Sequence, residues 1–421
     1  MSAEIAKQVP DHVPRPLVLE SNPWHGGAVP PHEWLRKVVG KGGGLRYSRQ
    51  SPLAIREDRG CWIAVGAKEI RSILIDHRNF ISKNSTGVGN LIGEDLVLAP
   101  LEADAPDHQR LRGILQPHFQ PKAVKQRQER IRTLAMALIG RLGSADRCEF
   151  IRDFAVQLPT QIFLEIVGLP VEDLPQFLEW EDIAMGRKTP EKAAETWLAI
   201  KDYLGRALEQ RRESPTDDLL GQIAARTAEM GQNPDAEALG MAMILFVAGL
   251  DTVVTALGWH FKYLAEHPED QERLRRDPSL IPAAVDEMLR AFSFATLTRT
   301  AVRDTEIGGV TVKAGDMVVC PSSLGSRDPA DFTDPERVDF DRGSIRHLGF
   351  GFGQHICIGM HLARLELITA IECWLEAMPQ FRLPPGYQPS SHGGISFGLN
   401  ELELEWGRTN RSTRPGMGRA Q

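Results

Sequence analysis

Hydrophobic residues recur at helical spacing over the middle of the chain, from about residue 67 to residue 292. The longest apolar segment in this region has clear limits, since Asn233 can cap a helix, Pro234 suits its first turn and Pro268 ends it. At about 1.5 Å per residue, a helix of roughly 33 residues would measure about 50 Å. A last long helix is predicted from about Gly359 to Met378. The pattern therefore predicts a mainly helical protein.

Short β-like segments flank the helical region on both sides. LRYSRQ, LAIRED and CWIAVGA lie before it, within residues 45–67, and EIGGVTVKAGDMVVCP (306–321) and ELELEW (401–406) follow it. The GKGGG segment at 40–44 lacks the spacing of a phosphate-binding loop and predicts a turn. Six prolines among residues 1–40 predict an extended N-terminal arm, and the Arg-rich residues 408–421 predict a disordered tail. The predicted fold class is mainly α with small β-sheets.

Composition narrows the class of protein. The chain has 421 residues, of which 42% are hydrophobic and 25% charged, as in ordinary globular proteins. Its formal net charge of −7 argues against nucleic acid as a main partner. We find no secretory segment and expect no apolar run long enough to span a bilayer, so a cytoplasmic protein without a membrane partner is predicted. Five scattered cysteines without a CxxC pair predict neither a zinc framework nor a disulfide scaffold, which favours a reducing compartment.

The segment HLGFGFGQHICIGMHLARLE (347–366) concentrates candidate chemistry around Cys357. A thiolate is stabilised at a helix N-terminus, and flanking glycines let backbone N–H groups approach the sulfur. The flat ring of Phe350 is nearby in the sequence. The residues alone also allow two alternatives: a buried small hydrophobic cysteine, or a nucleophilic cysteine with His355 or His361 as its base.

Two further patterns lie on predicted helices. In FVAGLDTVV (246–254), Thr252 can bond a carbonyl one turn back and Gly249 adds little bulk, so we expect the helix to open locally. Asp251 beside this alcohol predicts a proton relay, whereas the alternative is a helix-breaking glycine with a surface carboxylate. In VDEMLRAF, Glu287 and Arg290 share a helical face and can pair. The alternative is an exposed ion pair worth only about 0.3–0.5 kcal/mol.

These motifs together resemble one family. Residues 350–359 read Phe-Gly-x-Gly-x-His-x-Cys-x-Gly, which resembles the haem-binding loop of the cytochrome P450 family, the haem-thiolate monooxygenases. Glu-x-x-Arg at 287–290 and Ala-Gly-x-Asp-Thr at 248–252 are similar to two other marks of the family. AGLDTVV, EIVGLPVEDLP and GMHLAR resemble the soluble bacterial camphor hydroxylase group in particular. Length alone favours more than one core, but the resemblance implies a single triangular, mainly helical catalytic domain over residues 1–407.

The resemblance also implies roles for individual residues. Cys357 would be the axial iron ligand of haem b (iron protoporphyrin IX), and Asp251 and Thr252 would deliver protons. The third member of the Glu287–Arg290 network would be Arg337 or Arg342. The implied haem contacts are His108, Arg112, Arg299, Phe350, Gly351, His355 and Gly359. The implied substrate pocket consists of Leu96, Leu98, Leu101, Ile244, Val247, Ala248, Ala295, Thr296 and Leu297.

The activity implied is hydroxylation with dioxygen. Where the camphor hydroxylases place a tyrosine that binds the substrate ketone, this chain has EDLVLAPLEAD, so we expect an ionone-like terpenoid or norisoprenoid rather than camphor. No flavin or iron–sulfur motif is seen, so electrons are expected from a [2Fe–2S] ferredoxin with a separate NAD(P)H-dependent reductase. The ferredoxin would dock over Arg110, Arg112, Arg346 and Arg364 of a monomer. The alternatives are a camphor-like monoterpenoid hydroxylase, a peroxygenase, which usually lacks the Asp–Thr pair, and a non-catalytic haem sensor.

Overall fold

The protein's structure, a computed structural model, describes residues 9–24, 29–40, 42–53, 60–143, 145–184, 189–343 and 345–407. The predicted tail at 408–421 lies outside the described residues, as do residues 1–8 and 25–28 of the predicted arm and most of the LAIRED segment.

Helices make up most of the secondary structure. They are α1 (Pro31–Val39), α2 (Ala67–Ile75), α3 (Val88–Ile92), α4 (Asp107–Phe119), α5 (Pro121–Lys125), α6 (Gln128–Arg141), α7 (Gln157–Val167), α8 (Leu174–Asp182), α9 (Pro190–Glu213), α10 (Leu219–Met230), α11 (Pro234–Glu266), α12 (Pro268–Arg276), α13 (Ile281–Ala291), α14 (Ser322–Gly325) and α15 (Met360–Ala377). A π-helical turn, Ile151–Ala155, precedes α7.

The strands are short. They are β1 (Leu45–Ser48), β2 (Cys61–Ala64), β3 (Phe80–Ile81), β4 (Arg147–Glu149), β5 (Thr296–Ala301), β6 (Thr305–Ile307), β7 (Val310–Val312), β8 (Met317–Pro321), β9 (Phe381–Arg382), β10 (Ser391–His392), β11 (Gly398–Leu399) and β12 (Glu403–Trp406). The largest sheet has the order β1-β2-β8-β5-β3, in which only β2 and β8 are parallel. The predicted class, mainly α with small β-sheets, is confirmed.

The long helix α11 has the predicted limits and contains 33 residues. Asn233 precedes it without a side-chain capping bond, so Pro234 and the acidic residues Asp235 and Glu237 of the first turn define its start. By length and composition α11 could cross a membrane, which corrects the expectation that no apolar run is long enough. However, 72% of its most apolar window is buried inside the protein, as befits the central helix of a core.

The predicted extended arm is wrong for residues 31–39, which form α1, and for Arg15–Leu17, which form a 3₁₀ turn. Proline is well tolerated in the first turn of a helix because its missing N–H would have no helical partner there. Pro31 begins α1 in this way, and the apolar side of the helix buries Leu35 and Val39. The predicted turn follows at once, since Gly40 has a φ of 76°.

One hydrophobic cluster runs from Val9 to Trp406. At its centre Phe150 stacks on Phe261 with ring centroids 4.2 Å apart, and Trp374 of α15 meets both rings edge-on. These contacts join α11 to α15, the helix that follows Cys357. The core therefore fixes the position of the cysteine loop relative to α11.

Candidate active site

A cavity of about 270 Å³ lies between α11, β5 and the loop that carries Cys357. Ile244, Ala248, Thr252 and Ala256 follow one another along α11 at four-residue intervals and line one side of it. Ala248 and Thr252 are exposed although their helix is largely buried, because their side chains open onto this interior space. A smaller cavity of about 100 Å³ adjoins it and shares Ala248, Thr252 and Cys357 as lining residues.

The Cys357 loop presents its sulfur to both cavities. Gly351 and Gly353 each have a φ of 75°, a conformation that residues with a Cβ rarely adopt, and they bend the loop. The Cys357 N–H donates to the Phe350 carbonyl at 2.8 Å. The four other cysteines are buried, but Cys357 is exposed to the cavity. The side chain is therefore not the buried small hydrophobic residue that the sequence alone allowed.

The electrostatic setting of Cys357 differs from the expected one. The Cys357 sulfur borders the cavity but lies deep inside the protein, and this desolvation raises the pKa of the thiol. The opposing effects of the Gly359 N–H and of the Arg112 and Arg364 cations do not reverse that shift. The expected stabilisation of the thiolate by the loop and helix is thus outweighed by desolvation. A bound metal cation would supply the missing stabilisation, because a thiol that coordinates a metal is deprotonated outright.

Basic side chains gather at one edge of the cavity. His108, Arg112 and His355 line it, and Arg299 lies next to them in β5, only 5% exposed. Burial together with the neighbouring cations lowers the pKa of His108 to about 4 and that of His355 to about 2. Within the part of the chain that the structure describes, both ring nitrogens of the buried His108 lack a hydrogen-bond partner. This edge therefore suits an anionic ligand that brings its own acceptors.

The features of the cavity fit a haem. The sulfur of Cys357 faces the cavity, and Phe350 and Gly351 form part of its lining. At one edge, the Arg112 cation and the ring nitrogens of His108, which have no hydrogen-bond partner among the described residues, suit the two carboxylates of the propionates. A Cβ at position 351 would lie 3.4 Å from Leu297, so the positive φ of Gly351, more than a lack of space, favours glycine there. Gly359 lines the smaller cavity, and a Cβ at that position would lie 3.9 Å from the Cys357 sulfur. His355 contacts the Ser82 hydroxyl at 3.1 Å, which argues against its use as a base for a nucleophilic cysteine.

The Asp–Thr pair lies where α11 passes the cavity. The Thr252 hydroxyl donates to the Ala248 carbonyl at 2.9 Å. Asp251 is 5% exposed and lies beside, not on, the cavity-lining face. The expected local opening of α11 is not found, since the helix is continuous from Pro234 to Glu266. Gly249 instead makes room for Phe163 of α7, whose ring would lie 2.3 Å from a Cβ at that position.

Glu287 and Arg290 form a buried pair, so the alternative of an exposed ion pair is wrong. Both side chains are 0% exposed and are joined by two hydrogen bonds of 2.8 Å. The third member is Arg342, whose Nε donates to Glu287 at 3.1 Å. Arg337 contributes only its carbonyl, which accepts from Arg290 at 3.0 Å, and its side chain is 71% exposed. The network ties α13 to the segment that leads into the Cys357 loop.

Five of the nine expected pocket residues line the cavity, namely Leu101, Ile244, Ala248, Ala295 and Leu297. Thr296 does not line the cavity, because neighbouring side chains of a strand point to opposite faces. Its hydroxyl is buried on the other side of β5, where no described residue forms a hydrogen bond with it. Val247 precedes Ala248 by one residue, which turns its side chain about 100° away around the helix.

Leu96 and Leu98 also lie off the cavity. Their side chains are buried in the core, 6% and 0% exposed. The backbone of this segment packs closely on α11, where a Cβ at Gly240 would lie 2.1 Å from the Val97 carbonyl. The path of this segment is therefore determined by contact between its main chain and a glycine of α11, and along that path the two leucines lie outside the pocket. Sequence patterns do not reveal such a contact.

Several residues that line the two cavities were not predicted from the sequence. Leu245 and Ala256 continue the α11 face and follow from helical periodicity, but Pro100 and Phe294 had no such signal. Glu366 was missed as well: it lines the smaller cavity, is 2% exposed, and burial raises its pKa to about 8. A single charge on the apolar face that includes Leu362 and Leu367 was the available signal.

The four arginines expected at a docking surface have different surroundings. Arg110 bonds Glu237 at 2.7 Å and Asp107 at 2.9 Å, and Arg364 bonds Asp286 at 2.6 Å. Arg112 is half-buried at the cavity, and Arg346 is exposed. The charges of Arg110 and Arg364 are thus partly neutralised within the protein.

Known proteins match the chain over most of its length. A family model described as cytochrome P450 matches residues 173–391. The chain is 33% identical over 409 residues to "Probable cytochrome P450 127A1" of Sinorhizobium fredii, covering 94% of this chain and 97% of that protein. It is also 33% identical over 356 residues to the 20-oxo-5-O-mycaminosyltylactone 23-monooxygenase of Streptomyces fradiae, covering 82% and 84%.

Solved structures give the same result. The crystal structure of CYP101J2 superposes with a TM-score of 0.84 at 30% identity, and that of CYP101C1 with a TM-score of 0.83 at 32% identity. Each alignment covers 95% of this chain and all of the other. The chain therefore belongs to the cytochrome P450 family and is a cytochrome P450 monooxygenase.

Proposed function

We propose that this monooxygenase hydroxylates a small apolar terpenoid or norisoprenoid of ionone type. The observation that carries the proposal is the chemistry of the cavity wall away from the basic edge. There the lining side chains are apolar apart from the Thr252 hydroxyl, which already donates to a carbonyl of its own helix. These lining residues include Pro100, Leu101, Ile244, Leu245, Ala248, Phe294, Ala295 and Leu297.

Membership of the family implies a haem with a cysteine thiolate, and Cys357 is the residue we assign as its ligand. His108, Arg112, Arg299 and His355 would hold the propionates. The positive charges of Arg112 and Arg299 lie together at one edge of the cavity, and among the described residues the ring nitrogens of His108 there have no hydrogen-bond partner. When bound, the haem supplies the activation of dioxygen and the insertion of one oxygen atom into a C–H bond.

The remaining chemistry is proton delivery, which we assign to Asp251 and Thr252. Thr252 has its hydroxyl at the cavity surface and can pass a proton inward while it accepts another. Asp251, one residue earlier and off the cavity face, is suited to receive protons from outside and to hand them to the alcohol. The apolar wall around them limits the entry of bulk water.

We expect the cavity wall to favour some ketones over others through the free energy needed to bury the carbonyl group. Burying a carbonyl without a donor costs about 1–3 kcal/mol on scales derived from proteins. Each additional Å² of apolar ligand surface contributes about 25 cal/mol, so a larger cyclic enone can offset the loss better than compact camphor. Thr296, whose hydroxyl could otherwise donate a hydrogen bond to a ligand carbonyl, faces away from the cavity, and this supports the preference.

The test compares two ligands on three proteins. Dissociation constants and the low-to-high-spin shift are measured for an ionone and for camphor with the wild-type holoenzyme, Leu297→Thr and Thr296→Val. We expect the ionone to bind more tightly to the wild type. Leu297→Thr adds a hydroxyl on the cavity side of β5 and should tighten camphor binding about 2–10-fold, the worth of one net hydrogen bond.

Thr296→Val is the matched control. It removes a hydroxyl from the opposite side of the same strand, so both dissociation constants should stay within about twofold of the wild type. Camphor binding more tightly than the ionone to the wild type, with complete spin conversion, would refute the substrate class but leave the monooxygenase assignment intact.

Electrons would come from a [2Fe–2S] ferredoxin served by a separate NAD(P)H-dependent reductase. Because Arg110 and Arg364 are paired internally, Arg346 is the exposed cation of the predicted set that remains for docking. Arg346→Glu should slow reduction by an acidic ferredoxin at low salt and should make the rate less dependent on salt. Arg226→Glu, which changes an exposed arginine of α10, serves as the control. Equal rates for both variants would refute this docking site.

We also propose that residues 1–407 form one cytoplasmic, monomeric catalytic unit. The continuous hydrophobic cluster from Val9 to Trp406 supports a single unit. Limited proteolysis of the holoenzyme should leave one resistant fragment that retains the haem, and sedimentation should give the mass of one chain.

A further inference from the structure

Arg364 connects the cysteine loop to a helix that is distant in sequence. It lies on the first turns of α15, and its Nε donates to Asp286 of α13 at 2.6 Å. Its guanidinium carbon lies 4.7 Å from the centroid of the Phe350 ring, within cation–π range. Its side chain is 28% exposed, so the charge is only partly screened by water. The cation is therefore held in a defined position against the loop.

Phe350 carries this contact to the sulfur ligand. Its carbonyl accepts the Cys357 N–H at 2.8 Å, and its ring lines the same cavity as the Cys357 side chain. Arg364 also acts directly, since it is one of the two cations that interact electrostatically with the Cys357 sulfur. The other is Arg112, at the basic edge of the cavity.

Asp286 is the counter-charge of Arg364. Burial raises the pKa of its carboxyl, but His347 and Arg364 outweigh that effect and the pKa is lowered, so Asp286 is an anion at neutral pH. His347 Nε2 lies 4.0 Å from the same carboxylate oxygen, and its ring centroid is 5.5 Å from that of Phe350. The electrostatic effect of Arg364 on Cys357 is therefore partly cancelled by the negative charge of Asp286.

We propose that the Arg364–Asp286 pair sets how strongly the Cys357 sulfur donates electrons to a bound haem, and thereby sets the reduction potential of the iron. The inference rests on the haem-thiolate assignment of the proposed function. A cation near the sulfur stabilises negative charge on it and favours the reduced iron, whereas the carboxylate weakens that influence. Both residues act through Cys357 and Phe350 and are positioning residues.

Two neutralising variants test the inference because they should act in opposite directions. Arg364→Gln removes the cation and should shift the reduction potential of the holoenzyme to a more negative value. Asp286→Asn leaves the cation uncompensated above Phe350 and should shift the potential to a more positive value. Arg364→Lys retains the charge and should restore most of the wild-type potential. The potentials are measured by spectroelectrochemical titration at fixed pH, without substrate.

The chain offers a matched control pair. Arg273 bonds Asp341 at 2.6 Å and lies 6.0 Å from the ring of Phe340, an arrangement of the same kind that does not involve the cysteine loop. Arg273→Gln and Asp341→Asn should leave the potential unchanged. Shifts of the same sign in Arg364→Gln and Asp286→Asn would show that the pair only clamps α13 to α15, and would overturn the inference.

The carbon monoxide complex separates this inference from the proposed function. A wild-type reduced complex with the red-shifted Soret band of thiolate ligation supports the haem-thiolate assignment, and its absence would remove that assignment. Where the band is present and the two variants leave the potential unchanged, the Arg364–Asp286 inference alone is overturned.

Discussion

Glu287→Gln should destabilise the protein far more than its conservative size suggests. The carboxylate accepts two bonds of 2.8 Å from Arg290, one of 3.1 Å from Arg342 and one of 2.9 Å from the Asp339 N–H. The substitution keeps the shape but removes the negative charge and turns an N–H₂ group toward these donors. Arg290, at 0% exposure, would then be a buried cation without its counter-charge.

The expected loss follows from that geometry. Removing one partner of a buried ion pair costs about 3–5 kcal/mol, because the remaining charge cannot be solvated. Arg342→Gln should cost less, about 1.5–3 kcal/mol, since the Glu287–Arg290 pair survives and Arg342 is partly exposed. We expect the free energy of unfolding to fall in that order, measured by urea denaturation followed by circular dichroism.

Glu229→Gln provides the control. Glu229 pairs with Arg226 at the same three-residue helical spacing, but the two side chains are 63% and 56% exposed. Its loss should change the free energy of unfolding by less than about 0.5 kcal/mol. If Glu287→Gln proved as harmless as Glu229→Gln, the buried network would not hold the segment before the cysteine loop, and the reasoning would be wrong.

Four other substitutions have defined outcomes. Gly249→Ala would place a Cβ 2.3 Å from the Phe163 ring and should lower the free energy of unfolding by about 1–3 kcal/mol, seen in urea denaturation. Glu366, with a folded-state pKa raised to about 8, binds a proton more readily folded than unfolded, so stability should fall as pH rises from about 4.5 to 8, by roughly 1.4 kcal/mol per pH unit. Glu366→Gln should abolish that slope in unfolding curves taken across this range. Thr252→Ala should still consume oxygen and NADH but divert much of both to hydrogen peroxide, whereas Asp251→Asn should slow turnover; unchanged coupling and turnover would remove the relay.

Local chemistry made much of the protein predictable from the sequence. Pro234 and Pro268 limit α11 because proline suits a first turn and cannot continue a helix, and α11 has those limits. Cys357 could be identified because its loop needs glycine where φ is positive, and the sequence shows a glycine at both such positions, 351 and 353. Glu287 and Arg290 share a helical face, so their pairing follows from helical periodicity alone.

Other features depend on contacts between residues far apart in the chain. Whether Arg337 or Arg342 completes the network depends on how the chain folds back over α13, and periodicity carries no information about that path. Arg364 resembled a docking cation because its partner, Asp286, is 78 residues away. Pairings at such separation are fixed by the packing of α13 against α15, not by either local sequence.

The substrate pocket shows most clearly which features follow from the sequence and which depend on contacts between distant residues. The sequence by itself determined which side chains of α11 share a face, because their spacing along the helix sets it. The resemblance of its motifs to the family implied that the Asp–Thr pair lies near the cysteine loop. Only the tertiary structure decided which neighbours complete the wall. The register of β5 turns Thr296 away and presents Leu297, and the close approach of the Val97 carbonyl to Gly240 keeps Leu96 and Leu98 in the core. Strand register and the close approach of backbone segments arise from packing between residues far apart in the chain. For that reason the reactive residues could be predicted from the sequence, whereas the residues that shape the pocket could not.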